Sequence, residues 1–329
     1  MVNNGVKKGI ASCLKQIYNL NPNSHVLFTV DGGRAQVFDA FHEAVTDITQ
    51  EIGILDLDKY ERPLKEVPYE LKGMLEKLNP DIAINLFEAI PQERPIRIEQ
   101  IMQLIKHGVA IAHCPGINLK TIRDGGPFEN DFEELARKGN EITGLFKQYQ
   151  EFEIHSGDDK YVLKLAVGER EWKSDLSPIR ASMGNLPPGE ICIGPLEDSA
   201  NGKVIARGRA GEYHLNSYAL LTWEDGLLVE IDYIDKEIVP ELIGSCDKKY
   251  SRVIGELGIG FNPNADPFAD ILESEKSEIH IARGPQKDMG SIIQAEDHLD
   301  FLVLNGRVLG IDAAGVKHPI YPLETRSIS

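Results

Sequence analysis

Short, almost continuous apolar runs alternate with amphipathic stretches through about the first 150 residues. Residues Lys8 to Leu20 read as an amphipathic helix. The run H-V-L-F-T-V-D-G-G-R reads as a strand ending in a turn at Asp31-Gly32-Gly33, followed by a helix to about Gln50. I-G-I-L-D-L, P-D-I-A-I-N-L-F and G-V-A-I-A-H-C-P-G supply three more strands, the last stopped by Pro115-Gly116. Between them lie helical patterns at three- and four-residue spacing, V-P-Y-E-L-K-G-M-L-E-K-L and R-I-E-Q-I-M-Q-L-I-K-H, and a longer one opens at F-E-N-D-F-E-E-L. Strands that are apolar throughout, alternating with helices, predict a mostly parallel sheet covered on both faces. Residues 1–150 are therefore expected to form an α/β sandwich domain.

From Glu151 the pattern changes to hairpins. F-E-I-H-S-G-D-D-K-Y-V-L-K-L-A-V gives two strands about a Gly-Asp turn, and G-K-V-I-A-R-G-R-A and Y-A-L-L-T-W-E-D-G-L-L-V-E-I-D-Y continue in kind. Asn305-Gly306, between H-L-D-F-L-V-L and R-V-L-G-I-D, predicts a type I′ hairpin. One helix is expected around Pro240 to Gly255. Residues 151–329 are thus read as a β-rich α+β domain.

The 329 residues suffice for two domains, and 42% hydrophobic with 26% charged residues is ordinary for a globular chain. The net charge of −17 argues against a nucleic-acid partner, which needs clustered Lys and Arg. No apolar run is long enough to span a bilayer, and the start M-V-N-N-G-V-K-K-G lacks a signal segment, so a cytoplasmic protein without a membrane partner is expected. Cys13, Cys114, Cys192 and Cys246 form no C-x-x-C, which implies neither a disulfide framework nor a zinc knuckle.

Asp31-Gly32-Gly33 lacks a dinucleotide fingerprint and reads as a tight turn. His113 and Cys114 are adjacent on a strand, so their side chains point to opposite faces and do not make a thiol–imidazole pair. No G-x-S-x-G occurs, which leaves a serine hydrolase elbow without support. Glu190 follows G-N-L-P-P-G, a stiff approach to one carboxylate, although a glutamate at a strand start is ordinarily just exposed. Glu256 sits in G-E-L-G-I-G, where little side-chain bulk surrounds it. His298 and Asp300 stand two apart and project from one strand face, with His280 of E-I-H-I-A as a third donor. Two imidazoles and a carboxylate suit zinc, cobalt, manganese or iron(II), and the residue types do not choose among them. His25, His42, His107, His155, His214 and His318 have no comparable company and read as surface or core residues.

The motifs G-N-L-P-P-G-E-I-C-I-G-P, G-E-L-G-I-G-F-N-P-N-A, I-H-I-A-R-G and H-L-D together resemble the thermophilic-type metallo-aminopeptidases, the aminopeptidase T and aminopeptidase S group with its leucyl aminopeptidase-like members. That superfamily also holds the 2,5-dihydroxypyridine ring-opening dioxygenases. The likeness covers essentially the whole chain. It implies a two-metal site (zinc, cobalt or manganese) held by Glu190, Glu256, His280, His298 and Asp300, with Glu256 as general base, short peptides as substrates, and a homodimer. Under the dioxygenase alternative, His280, His298 and Asp300 hold one iron(II) that acts on a dihydroxylated aromatic small molecule. The tyrosine that follows the histidine motif in the aminopeptidases is absent here, where P-Q-K-D-M-G follows. A metal-binding protein without catalysis stays open on that ground.

Overall fold

The computed structural model describes residues 4–88, 90–176, 183–211, 213–245 and 248–322; Cys246 lies outside them. The described strands are β1 (Val26–Val30), β2 (Ile52–Asp56), β3 (Ile82–Leu86), β4 (Ala110–His113), β5 (Glu151–Ser156), β6 (Tyr161–Ala166), β7 (Lys173–Ser174), β8 (Met183–Asn185), β9 (Glu190–Ile193), β10 (Asn201–Ala210), β11 (Tyr213–Glu224), β12 (Leu227–Asp232), β13 (Ile254–Gly260), β14 (Ile279–Arg283), β15 (Leu299–Val303), β16 (Arg307–Ile311) and β17 (Lys317–Tyr321). The α-helices are α1 (Asn4–Tyr18), α2 (Ala35–Thr46), α3 (Glu70–Leu78), α4 (Arg94–Lys106), α5 (Phe132–Phe146), α6 (Val239–Ile243) and α7 (Ile271–Ser274). Two compact units result: Met1–Ala136 with Asp175–Pro188, and Arg137–Ser174 with Gly189–Ser329.

The first unit is the α/β fold that the apolar runs foretell. Its sheet runs β2-β1-β3-β4-β8, parallel throughout. Every residue of β1, β3 and β4 is buried, as strands covered on both faces must be. Leu27, Ala83 and Ile111 stand in register across these strands and share a core with Leu71 and Leu75 of α3 and Leu104 of α4. Each fully buried leucine contributes about 2 kcal/mol. Asp31-Gly32-Gly33 is a tight turn, a single 3-10 turn leading into α2. The fifth strand, β8, has only three residues, Met-Gly-Asn, too short and too polar to register as a pattern.

The second unit is a twelve-stranded antiparallel sheet in the order β17-β16-β5-β6-β10-β15-β14-β13-β9-β7, from which β11 and β12 branch at β10. The β5–β6 hairpin and the β10–β11–β12 meander follow the expected turns. Between β11 and β12, Asp225 and Gly226 take φ of 45° and 78°, the left-handed pair that a I′ turn needs. Asn305-Gly306 does not behave this way. Asn305 has φ 54° but Gly306 has no positive φ, and β15 and β16 are not neighbours in the sheet. Instead β16 pairs with β5 and β17. Gly306 is needed for closeness rather than for a turn, since a Cβ there would lie 2.9 Å from Ile279 Cδ1 and 3.0 Å from Val303 Cγ1. The helix expected around Pro240 to Gly255 is also shorter. Among the described residues there, only Val239–Ile243 is helical, and β13 already begins at Ile254.

At the far end of this sheet Glu153 of β5 is buried beneath two lysines and a histidine. Lys317 Nζ lies 2.8 Å away, Lys164 Nζ 3.0 Å and His155 Nε2 3.0 Å. Burial acts to raise this carboxyl, but the hydrogen bonds outweigh it and bring it down to about 2. A depressed folded-state pKa contributes stability that is full above the unfolded value of about 4.5 and is lost as pH falls toward 2. Glu153→Gln is therefore expected to lower stability at neutral pH by about 2 kcal/mol, allowing for water around the half-exposed lysines, and to flatten the loss between pH 5 and 2. Denaturant melts across that pH range check this, and an unchanged acid limb would count against it.

Candidate metal centre

Four neighbouring strands build the centre. In antiparallel pairs directly opposed residues share a face, and along a strand residues i and i+2 do so. Glu190 on β9 stands opposite Gly260 of β13, and Gly258 stands opposite His280 of β14. Ala282 of β14 stands between Glu256 and Asp300, its partners on β13 and β15. Glu256, Gly258 and Gly260 alternate along β13, and His298 precedes Asp300 by two. The register thus puts Glu190, Glu256, His280 and Asp300 on one face of the sheet, and His298 lies just ahead of β15, with its Nε2 reaching the same group.

Their side chains converge. Glu256 Oε1 lies 3.4 Å from His280 Nε2, and Glu256 Oε2 lies 3.2 Å from His298 Nε2. Glu190 Oε2 approaches His280 Nε2 at 3.5 Å, and Asp300 Oδ1 approaches His298 Nε2 at 3.3 Å. The donors form two groups, Glu190/Glu256/His280 and Glu256/His298/Asp300, joined by the two oxygens of Glu256. Single donor atoms of Glu256, His280 and Asp300 also lie within 4.8 Å of one another. Glu190, Glu256 and His280 are buried, and the other two nearly so. The simple reading of Glu190 as an exposed strand-start glutamate does not hold.

Glycine makes room for this. A Cβ on Gly258 would fall 1.9 Å from His280 Nε2, so the imidazole lies across β13 where a side chain would otherwise stand. A Cβ on Gly260 would fall 2.2 Å from the carbonyl oxygen of Glu275. The G-E-L-G-I-G pattern is therefore a trough beside one carboxylate, a different use of glycine from chain flexibility. Each histidine is oriented from behind, His298 by the Gly284 carbonyl at 2.7 Å from Nδ1 and His280 by that of Glu278 at 3.4 Å. With Nδ1–H donating there, each Nε2 is the nitrogen that faces the carboxylates.

Two members escaped the sequence reading. Lys276 is completely buried, and its ammonium donates to Glu190 Oε1, with Glu275 Oε2 3.8 Å away. The only signal was E-S-E-K shortly before His280, which resembles any solvated charge run. The electrostatics favour positive charge throughout. Burial works to raise the Glu256 carboxyl, yet both histidines hold it well below the usual carboxylate range. Burial works to lower His280, but its bond to Glu256 and the charges of Glu190, Glu256 and Glu275 carry it up to about 10. His298 is likewise raised against burial by Asp300 and Glu256. Glu275 is pushed up by burial, with Asp300 and Glu190 adding to it.

This donor set fits a divalent cation. Asp300 Oδ1 is buried, meets His298 only as an ion-pair contact and makes no well-formed hydrogen bond. Three carboxylates and two imidazole Nε2 atoms converge, the mixed oxygen and nitrogen donors that zinc, cobalt, manganese and iron(II) accept. Gly258→Ala should push His280 aside and weaken metal uptake at least tenfold while the fold survives. Gly73→Ala, where nothing lies within 4 Å of the new methyl, should leave uptake unchanged. Metal titration alongside circular dichroism reads both, and equal uptake by the two variants would contradict the trough.

No family model matches the chain, and no curated protein matches it. Among solved structures it is similar to wild-type AmpT from Thermus thermophilus, an aminopeptidase T, at 15% sequence identity with a TM-score of 0.70 over 96% of this chain and 97% of that one. No helix among the described residues is long and apolar enough to cross a membrane. At the level of fold, the chain shares the aminopeptidase T-like architecture from end to end.

Proposed function

We propose that this protein is a metal-dependent hydrolase of the aminopeptidase type, releasing N-terminal residues from short peptides. One observation carries the reading. The two oxygens of Glu256 face two different histidines, and each histidine has a second carboxylate of its own. Such a set suits two divalent ions sharing Glu256, Glu190 and His280 serving one and His298 and Asp300 the other. When bound, such ions polarise a peptide carbonyl and lower the pKa of a water to near neutrality. The chain's own part is to hold the donors rigidly and to move a proton. Glu256, within 3.4 Å of both histidines, is assigned as proton acceptor for the attacking water as well as shared ligand. The surrounding carboxylates also suit the free amino group of a peptide.

A second reading rests on the trio of Glu256, His280 and Asp300, each of which offers one donor atom within 4.8 Å of the others. A single iron(II) held by His280, His298 and Asp300, next to Glu256, would fit an aromatic ring-opening dioxygenase.

Elemental analysis of chain purified without chelator or a histidine tag separates the two. Close to two zinc, cobalt or manganese ions, with release of N-terminal residues from a dipeptide and tripeptide panel, is the expected result. About one iron per chain, with oxygen uptake on dihydroxylated aromatics, would replace the hydrolase with the dioxygenase. Glu256→Gln should lower peptide turnover by about 100-fold or more. A variant of normal turnover would remove Glu256 from both roles.

A further inference from the structure

The two halves of the centre are not electrostatically alike, and the difference comes from Lys276. Its position is set by the backbone. The Glu275–Lys276 segment crosses the site face directly over Gly260, where a Cβ would be 2.2 Å from the Glu275 carbonyl oxygen and 2.4 Å from the Lys276 carbonyl carbon. The Lys276 carbonyl accepts from the Asn262 amide at 2.7 Å, and the Lys276 amide donates to Glu273 O at 3.0 Å. Because Glu190 is the cross-strand partner of Gly260, a lysine at this crossing meets the Glu190 carboxylate. The ammonium takes Oε1, leaving Oε2 toward His280. On the other side, among the described residues no lysine or arginine lies within ion-pair distance of Asp300 or Glu256, whose ion-pair partners are His280 and His298.

We propose that Lys276 is a positioning residue that holds Oε1 of Glu190, places its positive charge at the edge of the Glu190/His280 half and makes the two metal subsites unequal, so that ions bind in sequence. The Glu256/His298/Asp300 half fills first and tightly. The Glu190/Glu256/His280 half, with a buried ammonium at its edge, fills second and weakly. At limiting free metal the protein is then half-loaded, and its activity follows the supply of the second ion. This rests on the two-ion reading above and concerns only how that site is filled.

The test is stepwise titration of the full-length, metal-stripped chain with cobalt(II), followed by calorimetry and by the visible cobalt spectrum, which reports coordination without reference to activity. Wild type should show two events whose dissociation constants differ at least tenfold. Asp300→Asn should remove the tight event and Glu190→Gln the weak one. Lys276→Met should tighten the weak event about tenfold or more and close the gap, whereas Lys276→Arg, which keeps the charge, should retain it. Two events of equal affinity in wild type overturn the proposal alone, as does a gap unchanged in a folded Lys276→Met chain or a tight event that disappears with Glu190→Gln. If Lys276→Met does not fold, the wild-type, Asp300→Asn and Glu190→Gln titrations decide by the same outcomes. Uptake of one ion or none overturns the two-ion reading and this inference with it.

Discussion

Burying carboxylates costs free energy that only opposite charge nearby can offset. Glu190 and Glu256 are buried on one sheet face, with Asp300 beside them and Glu275 buried on the segment that crosses over it. A carboxylate taken out of water in this way costs several kcal/mol unless it is paired. The molecule meets that cost with a buried lysine and with two histidines whose Nε2 atoms face the carboxylates. Protons and a divalent cation compete for the same atoms, so a centre that pairs each imidazole with carboxylates also suits a metal.

The other features of the second unit follow from that constraint. Rigid mounting requires sheet rather than loop, and β9, β13, β14 and β15 lie side by side, so a donor's place is set by register. Close convergence requires empty positions between donors, hence Gly258 and Gly260 on the face that carries Glu256. Orientation requires a fixed contact behind each ring, supplied by the carbonyls of Gly284 and Glu278. The fold alone would not make this a hydrolase, since one architecture carries many chemistries. The reading lives in the arrangement of the five donors and the lysine among them.

Legibility varied with what each feature depends on. The parallel strands of the first unit could be read because burial on both faces leaves only apolar residues, as in V-L-F-T-V and I-A-I-N-L. Strand β8 could not, because three residues carry no period and its pairing with β4 comes from a segment far along the chain. Asp225-Gly226 and Asn305-Gly306 look alike as dipeptides. The first closes a I′ turn, while packing against Ile279 and Val303 holds the second in another geometry and sends the chain to a different edge.

The sequence by itself determined the alternation of elements in both units and the sharing of a face by His298 and Asp300, because these depend on period and local backbone geometry. Resemblance of motifs named Glu190 and Glu256 as companions, yet spacing could not bring them near the histidines. Tertiary structure alone decided that four residues from four strands converge with His298 from the segment before β15, that Glu256 turns one oxygen to each histidine, and that Lys276 is buried against Glu190 rather than solvated. A lysine's charge is visible in a sequence. Its burial depends on which backbone crosses over Gly260, and that is settled by long-range pairing.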